Sequence, residues 1–172
     1  DLYTRMLAHA VEELRSGRPI IEPEDVNIDI AIDSRIPESY IEDESTRLSM
    51  YHRISSASSP RELGELRAEL TDRFGPPPPE AERIFDLVRL RHTARELGIT
   101  SIIERDGTVF IRPVVGARLD QNQLRQRLGR GVRVTPNQVR LILDDLQVDR
   151  WGAIQEILRA VEAVRTAVLA AS

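Results

Sequence analysis

The chain has 172 residues, 41% of them hydrophobic and 30% charged, with a formal net charge of −4. That is enough chain for one domain or two small subdomains with a buried core, and the acidic balance argues against a general nucleic-acid or membrane-surface binder. The absence of cysteine excludes disulfides, thiol catalysis and thiolate metal sites, and no apolar run approaches the roughly 18 residues of a membrane-spanning helix.

Taken in order, the chain starts inside an amphipathic pattern of Leu2, Met6, Leu7, Ala10, Val11 and Leu14. A helix already in register at the first residue suggests a piece of something longer. The segment Glu22 to Glu44 then holds nine carboxylates and one arginine, Arg35. Within it Val26 to Ile32 alternates, with Ile28, Ile30 and Ile32 on one side and Asp29, Ala31 and Asp33 on the other, as in a half-buried strand. A calcium loop needs alternate oxygen ligands around a glycine, which this segment lacks, so no metal is expected there. Ile36-Pro37 ends the extended run. Glu44 to about Ser55 returns to helical spacing, with Leu48, Tyr51 and Ile54 as the expected inward positions.

The clearest punctuation follows. Ser59, Pro60 and Glu62 supply a hydroxyl acceptor, a proline for the first helical position and a carboxylate three residues after the cap. Leu63, Leu66, Leu70 and Phe74 then recur at helical spacing. Gly75 and the four prolines Pro76 to Pro79 stop that helix and turn the chain. A second helix carries Ile84, Leu87, Val88, Ala94 and Leu97, with Gly98 as its terminator.

From Thr100 the pattern changes to short alternating strands. Ser101 to Arg105 and Thr108 to Arg112 flank Asp106-Gly107, a strong hairpin signal. Asp120 caps a helix to about Leu128, with Gln123 at the capping-box position and Gly129 as stop. Val132 to Val134 and Val139 to Leu143 flank Thr135-Pro136-Asn137 as a second hairpin. The last helix runs from about Asp149 to Leu169, with Ile154, Ile157, Val161, Val164 and Val168 at alternating steps of three and four. The fold class expected is α+β: a mostly helical N-terminal part with one strand, then hairpin, helix, hairpin, helix with a small antiparallel sheet.

Few residues suggest chemistry. His9, His52 and His92 lie one per expected helix, each without a histidine partner in sequence, and read as surface or satisfied helix positions. There is no nucleophile elbow, Walker loop or dinucleotide fingerprint, so no catalytic residue, metal or cofactor is expected. Two charged regions stand out. Glu62, Glu65, Glu69 and Asp72 recur at spacings of three and four on the polar side of the Ser59 helix, roughly opposite the leucines, and Arg73 lies four residues after Glu69 in the favourable order. This is either a solvated face with an internal ion pair or a docking face for a basic partner. The segment Arg112 to Arg140 holds seven arginines and one acid, Asp120. It either balances the acidic half or binds phosphates, with Phe110 nearby as a possible stacking ring.

Several blocks, in order, resemble one family: Leu2-Tyr3-Thr4-Arg5-Met6-Leu7 with Ala10-Val11, Ile36-Pro37-Glu38-Ser39-Tyr40-Ile41, Arg47-Leu48-Ser49-Met50-Tyr51, and Glu69-Leu70-Thr71-Asp72-Arg73-Phe74-Gly75. Together they resemble the C-terminal domain of bacterial transcription-repair coupling factor. The resemblance covers residues 1 to about 99; beyond that only the strand and helix pattern agrees. It implies a parent that is an ATP-driven DNA translocase, displaces stalled RNA polymerase from damaged DNA and recruits nucleotide-excision repair. It implies that residues 1–17 end the translocase module or connect to it, and that 18–172 form a regulatory domain with a helical part (18–99) and an α+β part (100–172). It further implies a non-enzymatic, monomeric, cytoplasmic, autoinhibitory domain that docks on the UvrA-binding N-terminal module of the same protein. Glu69, Asp72 and Arg73 would form that contact, flanked by Glu62 and Glu65. The alternative is an accessory nucleic-acid-binding domain using Arg112 to Arg140.

Overall fold

A computed structural model describes Thr4, Leu7 and residues 26–114 and 119–171. The expected helix over the first residues and the early part of the acidic segment lie outside the described residues. The described elements are β1 (Asn27–Asp29), α1 (Glu44–Ser56), α2 (Pro60–Phe74), α3 (Pro79–Glu96), β2 (Ser101–Arg105), β3 (Thr108–Arg112), α4 (Gln121–Leu128), β4 (Val132–Val134), β5 (Val139–Ile142), a 3-10 turn (Leu143–Asp145) and α5 (Arg150–Ala171). The chain divides into two compact units. The first takes in Ala31–His92, and the second takes in Thr93 onward together with the strand that ends before Ile30.

The first unit is helical. Asp43 caps α1, its carboxylate accepting from the Thr46 amide at 2.9 Å and the Thr46 hydroxyl at 2.7 Å, and these bonds hold its pKa below the ordinary aspartate value. α1 turns inward with Met50 and Ile54, each buried, while Leu48 is 43% exposed. The sequence pattern placed Leu48 inside; the observed stripe is rotated because Arg47, not Leu48, folds back, donating to the Ile41 and Glu42 carbonyls at 2.7 Å each. Tyr51 is half-buried, and its hydroxyl oxygen accepts from the Ile36 amide. Leu63, Leu66 and Leu70 of α2 are buried against Ile36, Ile41, Met50, Ile54, Ile84, Phe85 and Val88, with Tyr40, Tyr51 and Phe74 packed around them. Each such side chain taken out of water contributes about 1.5–3 kcal/mol. α3 begins at Pro79, where the Pro78 carbonyl accepts from the Ala81 and Glu82 amides at 3.0 Å each. The segment before Ile36 is held alongside its start, the Arg35 amide donating to the Glu80 carbonyl at 3.0 Å and Arg83 donating to the Asp33 carbonyl at 3.0 Å.

The second unit is one five-stranded sheet in the order β1-β2-β3-β5-β4, with α4 against β4 and α5 against β5. The molecule is α+β as expected, with a sheet that is larger than two hairpins and mixed in direction. The alternating segment near Ile28 contributes only three residues, but they pair in parallel with Ser101, Ile102 and Ile103 of β2. The two hairpins join through β3 and β5, which pair antiparallel from Thr108↔Ile142 to Ile111↔Val139. Asp106 (φ 51°) and Gly107 (φ 76°) make the tight turn of the first hairpin, both in the positive-φ region that such a connection requires. Ile102, Val109, Ile111, Val132, Val139 and Leu141 are fully buried on the helix-covered face, as are Leu128 of α4 and Ile154 and Ile157 of α5. Glu104 emerges on that same face and is held by Arg150 of α5 through two bonds of 3.0 Å.

Candidate docking face on the second helix

Ser59 sits at the N-cap of α2 in extended conformation (φ −144°, ψ 155°), and its hydroxyl accepts from the Glu62 amide at 3.2 Å. The Glu62 carboxylate reaches back to Ser58, accepting from its amide at 2.8 Å and its hydroxyl at 3.1 Å. Glu62 is therefore committed to starting the helix. At 100° per residue Glu62 and Glu69 border the leucine stripe rather than oppose it, and both are half-buried. The face is thus closer to the core than the sequence spacing suggested, and this lets its acids reach neighbouring elements.

Glu69 uses that reach. Arg53 of α1 donates to both of its carboxylate oxygens, at 2.5 and 3.0 Å, and Arg73 adds a longer bond of 3.4 Å one turn along α2. The fork on Arg53 is the first cause that holds the Glu69 carboxyl below the usual glutamate range, with Arg73 a further one. The expected Glu69–Arg73 pair is present, but the closer partner comes from another helix. Arg53 had no signal in the sequence, since nothing local links it to a residue 16 positions on. Glu65 pairs with Arg61 at 3.1 Å on the exposed surface.

Asp72 differs from its neighbours. It is exposed, and its carboxylate has no hydrogen bond or ion pair among the described residues. Beside it Arg73 lies over the Phe74 ring, 4.8 Å from its centroid. Phe74 meets Tyr40 edge-to-face at 6.0 Å, and the Tyr40 hydroxyl donates to the Gly75 carbonyl at 2.6 Å. Burial pushes the Tyr40 phenol up. Gly75, at φ 86°, ends the helix where a side chain would be strained. The C-terminal end of α2 is thereby pinned by the Ile36-to-Ile41 turn, and it presents one free carboxylate beside one ring-supported guanidinium. The fork of Arg67 on Glu82, at 2.5 to 3.1 Å, ties α2 to α3 next to it.

Other sequence candidates are placed as follows. His52 is exposed, His92 meets the Ala57 carbonyl at 3.0 Å through Nε2, and His9 lies outside the described residues. Among the described residues no group of three or more His, Asp or Glu is arranged to hold a metal ion, and no helix is long and apolar enough to cross a membrane. The Arg112-to-Arg140 segment does not form one patch. Arg125 donates to the Val132 carbonyl at 2.9 Å and Arg127 lies 3.8 Å from Glu156, whereas Arg112, Arg133 and Arg140 are exposed on the strands. Arg118 lies outside the described residues.

The family model described as TRCF domain matches residues 30–124. The transcription-repair-coupling factor of Escherichia coli is 40% identical over 106 residues, which is 59% of this chain and 9% of that protein. The factor of Mycobacterium tuberculosis is 38% identical over 125 residues, 66% of this chain and 10% of that protein. That of Bacillus subtilis is 29% identical over 160 residues, 88% of this chain and 14% of that protein. The crystal structure of a C-terminal domain of transcription-repair coupling factor superposes with a TM-score of 0.61 at 18% identity, covering 83% of this chain and 95% of that one. The chain spans about a tenth of the length of the curated relatives it matches.

Proposed function

The chain belongs to the TRCF domain family, and from that premise we propose that it is a non-catalytic regulatory domain that docks on another module of its own parent protein and restrains it. In this reading the parent is an ATP-driven DNA translocase that displaces stalled RNA polymerase and recruits excision repair. The docking partner is its N-terminal UvrA-binding module. The domain acts as a monomer in the cytoplasm, with no cofactor and no hydrolysis of its own.

The observation that carries the reading is the state of charge on α2. Glu62, Glu65 and Glu69 are engaged within the domain, and the exposed Asp72 carboxylate has no partner among the described residues. Docking at Asp72 and Arg73, with Glu69 as their fixed neighbour, spends a charge that the domain leaves available. A charged contact of this kind supplies orientation and salt sensitivity more than raw affinity. It also separates more readily than an apolar interface, as a restraint that must be lifted requires.

The test is titration of this chain with the UvrA-binding module of its parent at low and moderate salt, beside the Glu69, Asp72, Arg73 triple-alanine variant. The expected result is salt-sensitive binding that the variant loses while keeping its fold. Binding unchanged in the variant, or no binding at low salt, would remove the contact from α2.

A further inference from the structure

The sheet of the second unit has one face covered by α4 and α5, and its other face carries a row of side chains set by strand register. Ile103, Phe110, Arg140 and Arg133 are direct neighbours across β2, β3, β5 and β4. Their alternation opposite the buried Ile102, Val109, Ile111, Val139 and Leu141 puts all four on the face away from the helices. Arg112, two residues after Phe110, shares that face. Its guanidinium lies 4.9 Å from the Phe110 ring centroid, steered by a 2.5 Å bond from Nε to the Gln138 side chain.

Arg133 and Arg140 are directly opposed, which places their Cβ atoms about 5 Å apart, an arrangement that costs stability for like charges. Neither guanidinium has an ion pair or hydrogen bond among the described residues. The strands contain two acids, and both are engaged: Asp29 with Arg105 at 2.8 Å, and Glu104 with Arg150 on the helix-covered side. Among the described residues this is an uncompensated pair of cations beside an aromatic ring that already has a guanidinium over it.

We propose that this sheet face binds single-stranded nucleic acid, with Arg133 and Arg140 on successive phosphates and the Phe110–Arg112 pair as a stacking platform for a base. Charge complementarity calls for a polyanion. The platform favours bases over an acidic peptide: rings and guanidinium planes stack bases, whereas a carboxylate uses only the cations. The proposal is independent of the docking contact on α2.

The test is fluorescence anisotropy of a labelled oligothymidine of about 20 nucleotides, titrated with the chain from about 50 to about 200 mM salt. Arg133→Gln with Arg140→Gln should weaken binding at least about tenfold at the low-salt end and flatten the slope of log affinity against log salt by about 1.4, two phosphates at about 0.7 each. The melting temperature should not fall, since the like-charge pair is relieved, so lost binding is not lost folding. Phe110→Leu should weaken binding with the slope unchanged. Wild-type affinity in the double variant, or no salt-dependent binding by the native chain, would overturn the proposal. Equal binding of a duplex would overturn the stacking role, and displacement of the probe by polyglutamate at equal charge would make the partner an acidic protein instead.

Discussion

The two charged regions of this molecule behave in opposite ways. Along α2 the acids are numerous, yet Glu62, Glu65 and Glu69 are neutralised or hydrogen-bonded within the domain, and among the described residues only the Asp72 carboxylate is left without a partner. On the sheet Arg133 faces Arg140 with no acid among the described residues paired to either. The difference teaches that available charge is a property of geometry, not of composition. A half-buried carboxylate at the edge of a helix stripe finds a guanidinium from the next helix. An arginine on a strand meets whatever register places opposite it.

The largest expected effect sharpens the contrast by leaving charge aside. Leu70→Ala, on the buried side of α2 at 0% exposure, should cost about 2–5 kcal/mol in urea unfolding. Glycine substitutions should then separate the regions by sign. Gly129→Ala, at φ 106° with its new Cβ 2.7 Å from the Asp145 carbonyl oxygen, should destabilise by about 1–3 kcal/mol. Gly64→Ala, exposed in α2 with open space around it, should stabilise by about 0.5–1 kcal/mol, read in the same experiment.

Smaller effects test the ion pairing. Glu69 has a depressed pKa in the folded chain, with Arg53 as first cause. The stability it contributes is therefore fully present above the unfolded glutamate value and is lost as pH falls through the folded one. Because the pair is partly exposed, with side chains 43% and 36% accessible, Arg53→Gln should cost only about 0.2–1 kcal/mol near neutral pH. That difference should shrink toward zero in acid, as thermal melts across pH would record. The smallest effect belongs to Asp72→Ala, which should leave stability within about 0.5 kcal/mol of wild type.

Much of this architecture is local and therefore legible in the chain. Ser59 and Asp120 accept from the amides three residues on, as their spacing implies, and Asp106-Gly107 turns the hairpin between the expected strands. What was not legible is set by tertiary pairing. The inward turn of Met50 in place of Leu48 depends on where Arg47 is anchored. The parallel addition of β1 to β2 joins residues more than 70 positions apart, as its Asp29–Arg105 bond does. The acids of α2 are legible as a charged face, but their unequal availability is not, because Arg53 lies outside α2. The arginine segment was visible as a cluster; that Arg112, Arg133 and Arg140 share a sheet face while Arg125 and Arg127 turn elsewhere follows from register alone.

Two single variants, compared in binding to the UvrA-binding module, decide whether the free carboxylate of α2 makes the proposed contact. Asp72→Ala removes the free carboxylate, and Glu65→Ala removes one already engaged by Arg61 on the same helix. Asp72→Ala should bind about tenfold more weakly, with salt weakening the wild type more than the variant, and Glu65→Ala should change little. Equal losses in the two variants, or a loss confined to Glu65→Ala, would contradict that contact.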